Sequence, residues 1–124
     1  GEELSALGEF ETYLKQGCVD ILQPDLSRCG GLTVARKVMD MAQRYQVPII
    51  PHNFKSGLLM SATLQFIASL PDARYLEYCG QETVLSRSLI TQPVTVTDGF
   101  VEIPDRPGLG VELNMETVRR YRVQ

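Results

Sequence analysis

The apolar and polar positions of this chain fall into alternating periods. Over residues 6–17, ALGEFETYLKQG, Leu7, Phe10 and Leu14 share one side of a 3.6-residue repeat, while Glu9, Glu11 and Lys15 point away. The pattern predicts an amphipathic helix, with Gly17 placed as its C-terminal cap. VDILQP (19–24) is then a short apolar run that reads as a buried strand, and SRCGG is a turn. LTVARKVMDMAQRY carries a second helix, with Val34, Val38, Met41 and Tyr45 on one stripe and Arg36, Lys37, Asp40 and Arg44 opposite. VPIIP (47–51) is a second strand. GLLMSATLQFIASL is a third helix, apolar nearly all round and therefore expected to be well buried. ARYLEYC (73–79) is a third strand.

Strands alternating with helices imply an α/β fold with a parallel sheet and right-handed crossovers. Pro24 and Pro51 fit strand ends, since proline has no N–H to give a central ladder. After residue 80 the period changes. PVTVTDGFVEIP alternates with period two around Asp98-Gly99, a hairpin signal. DRPGLGVEL is rich in turn formers, and NMETVRRYRV predicts a short terminal helix capped by Asn114. Two regions are therefore expected: a β/α segment over residues 1–79, and a hairpin and tail over 80–124 that would pack on it.

Composition narrows the classes. A chain of 124 residues can bury about two-thirds of its unfolded surface. Its net charge of −3 is too mild to point to nucleic acid or to an acidic membrane surface. No stretch approaches the roughly 18 apolar residues of a membrane span, and no signal peptide pattern is visible. The three cysteines, Cys18, Cys29 and Cys79, form no CxxC pair. They speak against a structural zinc site and for reduced thiols in a cytoplasmic protein.

Four ionisable residues recur along the strands. Glu2, Asp25, His52 and Glu77 stand 23, 27 and 25 residues apart, and the last three each close an apolar run. A βα unit has about that length, and in a β/α barrel the strand ends build the active site. A strand-end Asp beside a strand-end His suits a dyad: the carboxylate accepts the imidazole N–H, fixes the tautomer and raises basicity. Glutamates on flanking strands can bind a hard divalent cation or polarise a substrate oxygen. Taken singly, each carboxylate could as well cap the next helix, and His52, the only histidine, could be a loop residue after Pro51.

LQPDLSRCGGLTVARKV, VPIIPHN, LPDARYLEY and the closing IPDRPGLGVEL together resemble the C-terminal part of the enolase superfamily, in its mandelate racemase-like subgroup. The resemblance covers the whole chain, and the chain covers about the last third of such a protein. It implies a (β/α) barrel of which these residues form about the end of strand five to strand eight, followed by a β-rich tail. By that similarity Glu2 is the third ligand of a Mg²⁺ ion, and its neighbour Glu3 is the alternative. Asp25 and His52 are the dyad, with His52 the general base or acid. Glu77 hydrogen-bonds the substrate carboxylate and steadies an enediolate. Asn53 and Lys55, on the loop after His52, are candidate substrate contacts. Arg28 could pair with an acidic strand end or lie in a surface turn.

The implied parent reaction is Mg²⁺-dependent dehydration of a sugar acid, begun by removal of the proton α to the carboxylate. The alternative is racemisation or epimerisation of a 2-hydroxy acid. A cycloisomerase is ranked lower, because that subgroup resembles a lysine-based pattern where Asp25 stands. The family's other two metal ligands, an opposing lysine and a capping domain have no counterpart in these residues. One glutamate is a weak site for a cation that takes several oxygens. The 124-residue chain alone is therefore expected to be inactive. Its open sheet edges predict self-association, or pairing with an N-terminal portion of the same protein.

Overall fold

A computed structural model describes residues 1–73 and 75–123. Its elements are α1 (Leu7–Lys15), α2 (Gly31–Arg44), α3 (Gly57–Ala68), α4 (Val84–Arg87), β1 (Val96–Thr97), β2 (Phe100–Val101) and α5 (Met115–Tyr121).

The first three helices follow the apolar periodicity, with one shift. Phe10 and Leu14 are the buried residues of α1. The buried face of α2 is Ala35, Val38, Met39 and Ala42, turned from the expected stripe, and Tyr45 stays exposed. Two alanines lie at the middle of that face. Their small side chains add little to an apolar pattern, yet they let the helix approach its neighbours closely. The resulting core joins Phe10, Leu14, Leu22, Leu26, Val38, Leu59 and Phe66. α3 is buried along most of its length, from Leu59 to Ile67.

Helix ends are closed by local bonds. After α1, Gly17 N–H donates to Leu14 O (3.2 Å) and Cys18 N–H to Tyr13 O (3.1 Å), the paired bonds of a Schellman cap. α2 ends in the same way: Gln46 N–H donates to Gln43 O (3.1 Å) and Val47 N–H to Ala42 O (3.0 Å). Here the left-handed position is held by Gln46, at φ 57°. Ser56 Oγ accepts from Leu59 N–H at the start of α3. Asn114 Oδ1 accepts from Glu116 and Thr117 N–H at the start of α5, as its sequence predicts.

The first two expected strands lie parallel, but their pairing is short. Leu22 stands opposite Ile49, and Asp25 opposite His52. The bonds run Leu22 N–H to Pro48 O (2.9 Å), Ile50 N–H to Leu22 O (3.0 Å) and His52 N–H to Pro24 O (3.2 Å). The next donor in that series would be residue 24, and Pro24 has no N–H. Proline thus breaks the ladder into two bridges rather than marking the end of a long strand. The third expected strand, 73–79, shows no ladder among the described residues, and its Arg74 lies outside them. What ties it to the second segment is Asn53, whose N–H donates to the side chain of Glu77 and not to a backbone carbonyl.

The tail packs on α3. Gly57, the first residue of α3, lies so close to the tail that a Cβ there would meet Ser86 O at 2.7 Å and Ile90 at 3.0 Å. Gln65 Nε2 donates to Pro104 O (3.2 Å). Residues 89–91 run antiparallel to 112–114, with Ile90 opposite Leu113 and Ile90 buried. The hairpin forms where Asp98-Gly99 predicts it, with φ of 51° and 80° at the two turn residues, as a two-residue primed turn needs. Its strands are only two residues each, with Val96 opposite Val101 and Thr97 opposite Phe100. Among the described residues no helix is long and apolar enough to cross a membrane. Cys18, Cys29 and Cys79 are free thiols.

Candidate functional site

Asp25 and His52 meet because their two segments are in register. The parallel bridge between them sets both side chains at the same end of the paired segments. His52 Nδ1 lies 2.9 Å from Asp25 Oδ2. A carboxylate can only accept, so Nδ1 carries the hydrogen and Nε2 is left as the other functional nitrogen. Asp25 is fully buried and His52 is 8% exposed.

The other Asp25 oxygen is held by the turn that follows. Ser27 N–H and Ser27 Oγ both donate to Asp25 Oδ1, at 2.7 and 2.6 Å. The backbone carbonyl of Asp25 accepts from Arg28 and Cys29 N–H. Burial works to raise the pKa of Asp25. The hydrogen bonds from Ser27 and His52 and the charge of Lys55 outweigh it, and the carboxyl titrates below its ordinary value of 3.8. Asp25 is thus an anion fixed on one side by Ser27 and aimed on the other at the imidazole. By contrast, burial pushes the thiol of Cys29, nearby in the same turn, upward and favours its protonated form.

Two glutamates approach the free side of the ring. Glu2 Oε2 lies 3.7 Å from His52 Nε2, and Glu77 Oε2 lies 4.0 Å from the same atom. All four residues of the sequence ladder are therefore brought together. Glu2 and its neighbour turn to different partners. Glu3 turns to Arg28 and pairs with its guanidinium, whereas Glu2 faces His52. Arg28 Nε lies in addition 3.9 Å from Asp25 Oδ2, so Arg28 sits between two carboxylates and not in a free surface turn. Phe54 stacks beside the imidazole, with ring centroids 6.3 Å apart.

Asn53 and Lys55 differ in where they point. The Asn53 side chain is 3% exposed; its Nδ2 donates to Met60 Sδ (3.1 Å) and to Glu77 O (3.5 Å). Lys55 is exposed, and its Nζ donates to Ser27 Oγ (2.8 Å). An ammonium has no acceptor, so Ser27 Oγ accepts from Lys55 and spends its one hydrogen on Asp25. Ser27 is a site residue that sequence reasoning passed over. Its position two residues after a strand-end Asp was the available signal, since that spacing closes an Asx turn.

The donor set does not by itself fit Mg²⁺. Such an ion demands octahedral oxygen coordination. Glu3 is taken by Arg28 and one oxygen of Glu77 by Asn53, which leaves Glu2 as the free carboxylate. Among the described residues no group of three or more His, Cys, Asp or Glu is placed to hold a metal ion.

The chain matches known proteins over most of its length. Residues 1–118 match the family model described as enolase C-terminal domain-like. D-xylonate dehydratase from Haloferax volcanii is 34% identical over 113 residues, covering 91% of this chain and 27% of that protein. D-galactarolactone cycloisomerase from Agrobacterium fabrum is 34% identical over 118 residues, covering 89% of this chain and 31% of that protein. A crystal structure of a mandelate racemase/muconate lactonizing enzyme from Jannaschia sp. CCS1 superposes with a TM-score of 0.87 at 32% identity, over 100% of this chain and 31% of that one. The chain thus spans under a third of the length of each of these three relatives. A cycloisomerase thus stands among the relatives beside the dehydratase. With its matched residues, its α/β elements and its strand-end dyad, the chain belongs to the enolase C-terminal domain-like family.

Proposed function

We propose that this chain is the C-terminal part of a sugar-acid dehydratase, contributing the acid–base half of its active site. The observation that carries the proposal is the Asp25–His52 pair at 2.9 Å, with Glu2 and Glu77 within 4.0 Å of the opposite ring nitrogen. The substrate class is supported by the names of relatives, D-xylonate dehydratase among them.

In this reading residues 1–79 supply the end of barrel strand five through strand eight, and residues 80–124 form the tail packed on them. His52 Nε2 takes the proton α to the substrate carboxylate, while Asp25 holds Nδ1–H and stabilises the imidazolium that forms. The electron pair of the broken C–H bond moves into the carboxylate to give an enediolate. That pair then moves back to form a new double bond between the α and β carbons, restoring the carboxylate, as the C–O bond to the β-hydroxyl breaks. His52 returns its proton to the leaving hydroxyl, which departs as water. The enol left behind tautomerises to a 2-keto-3-deoxy acid. Glu77 faces the substrate carboxylate, an arrangement that needs one shared proton between the two carboxyl groups. Lys55, exposed and bonded to Ser27 beside the dyad, meets a distal hydroxyl or carboxylate of the substrate in this reading. Glu2 would be one ligand of a Mg²⁺ ion only together with ligands from outside these residues, and such an ion would offset the charge that builds on the substrate carboxylate.

The test is a panel of aldonic acids offered to the intact protein, with the 2-keto-3-deoxy product measured. Dehydration of one or more acids, lowered about 10²–10⁴-fold by His52→Asn, is expected. Absence of turnover across the panel, or full activity in His52→Asn, would refute the proposal. Similarity to D-galactarolactone cycloisomerase favours a second reading, lactone opening begun by the same proton removal. A lactone panel run in parallel distinguishes the two. Racemisation would instead appear as inversion of a 2-hydroxy acid with no loss of water.

A further inference from the structure

We infer that Asn53 is a positioning residue that fixes Glu77 against His52. The inference rests on Glu77 acting in the proposed reaction, and it concerns how that carboxylate is held there.

Among the described residues, segment 75–79 has no ladder bond to the neighbouring segment, so none of the ladder bonds described holds Glu77. Asn53 does so at two points. Its backbone N–H donates to Glu77 Oε2 at 2.8 Å, and its side-chain Nδ2 reaches Glu77 O at 3.5 Å. The same amide donates to Met60 Sδ at 3.1 Å, which anchors it to α3, a buried helix of 12 residues. The oxygen so held is the one 4.0 Å from His52 Nε2. Because Asn53 directly follows His52, imidazole and carboxylate are referenced to one stretch of backbone.

The chemistry of Asn53 points away from a role in stability alone. Its side chain is 3% exposed, and its own Oδ1 is buried with no partner among the protein atoms. A buried acceptor left without a bond opposes folding. A residue chosen only to fill this space would be apolar. The side-chain amide gives one donor to Glu77 O and one to Met60 Sδ, at the expense of one stranded acceptor.

The experiment is a double-mutant cycle in the intact protein with Asn53→Ala, Glu77→Gln and both together, read as kcat/KM on the best sugar acid and as urea midpoint. Misplacement of a reacting group by about 1 Å can cost 10²-fold. Asn53→Ala should lower kcat/KM by about tenfold or more without lowering the urea midpoint, and the double variant should be no worse than Glu77→Gln alone. Losses that multiply, or a fall in midpoint that accounts for the lost activity, overturn the inference. Asn53→Asp, which keeps the volume but replaces the amide donor, serves if Asn53→Ala fails to fold. Should the protein turn over no sugar acid, the proposed function fails, and crystal structures of the variants still decide this point. A Glu77 carboxylate displaced from His52 supports it; one that stays about 4 Å from Nε2 overturns it.

Discussion

Asp25 shows how several weak contacts decide the state of one residue. It is buried, which favours the neutral acid, yet Ser27, His52 and Lys55 together keep it ionised and titrating below 3.8. The unfolded chain therefore binds this proton more readily than the folded one. The stability that Asp25 supplies is fully present above the unfolded value and is lost as pH falls through the lower folded value. Urea midpoints of the wild type should accordingly drop more steeply below about pH 4 than those of Asp25→Asn. Parallel curves would show that the carboxylate is not held as described. The residue types of the site were legible in the chain, since a lone histidine and spaced acidic residues stand out. The Asx-turn place of Ser27 was legible in its spacing from Asp25, but the direction of its hydroxyl was not, because Lys55, 28 residues away, helps to set it.

At the level of elements, the three long helices were legible because each buries a continuous apolar face. The strands were less so. Pro24 sits within the pairing and removes a donor, so what reads as a strand folds as two bridges. Two substitutions test the local accounts. Gln46 occupies a left-handed position at the end of α2, where glycine carries no Cβ penalty. Gln46→Gly should raise stability by about 0.5–1 kcal/mol, and an unchanged or lower melting temperature would count against the strain. Gly57 has the opposite constraint, as a methyl group there would press on Ser86 O. Gly57→Ala should lower stability by about 1–3 kcal/mol, the usual cost of overpacking. An unchanged urea midpoint would mean that the α3–tail contact yields freely.

Over the whole molecule, the apolar surface is incompletely covered. Ile21 is 45% and Tyr75 69% exposed, and with Ile50, Val47 and Leu70 they line an open groove toward the start of the paired segments. Phe100, at 78%, stands out on the hairpin. Exposed apolar surface beside unpaired strand edges favours association. The 124-residue chain by itself should therefore sediment above its monomer mass of 13.9 kDa, and should turn over no sugar acid. A monodisperse monomer would contradict the first expectation, and measurable dehydration the second.

By itself the sequence determined the three long helices and the terminal one, though not the short α4, together with the hairpin turn at Asp98-Gly99, the Asn114 cap and the four ladder residues, because each depends on chemistry within a few positions or on a simple period. The tertiary structure alone decided which ladder atoms meet. Register across two proline-broken segments, and not spacing, puts Asp25 on His52 Nδ1. The competing cation of Arg28 draws Glu3 aside and leaves Glu2 facing the ring. Asn53, which sequence proximity to His52 suggested as a substrate contact, is turned inward toward Glu77, because α3 offers it Met60 and closes it from solvent.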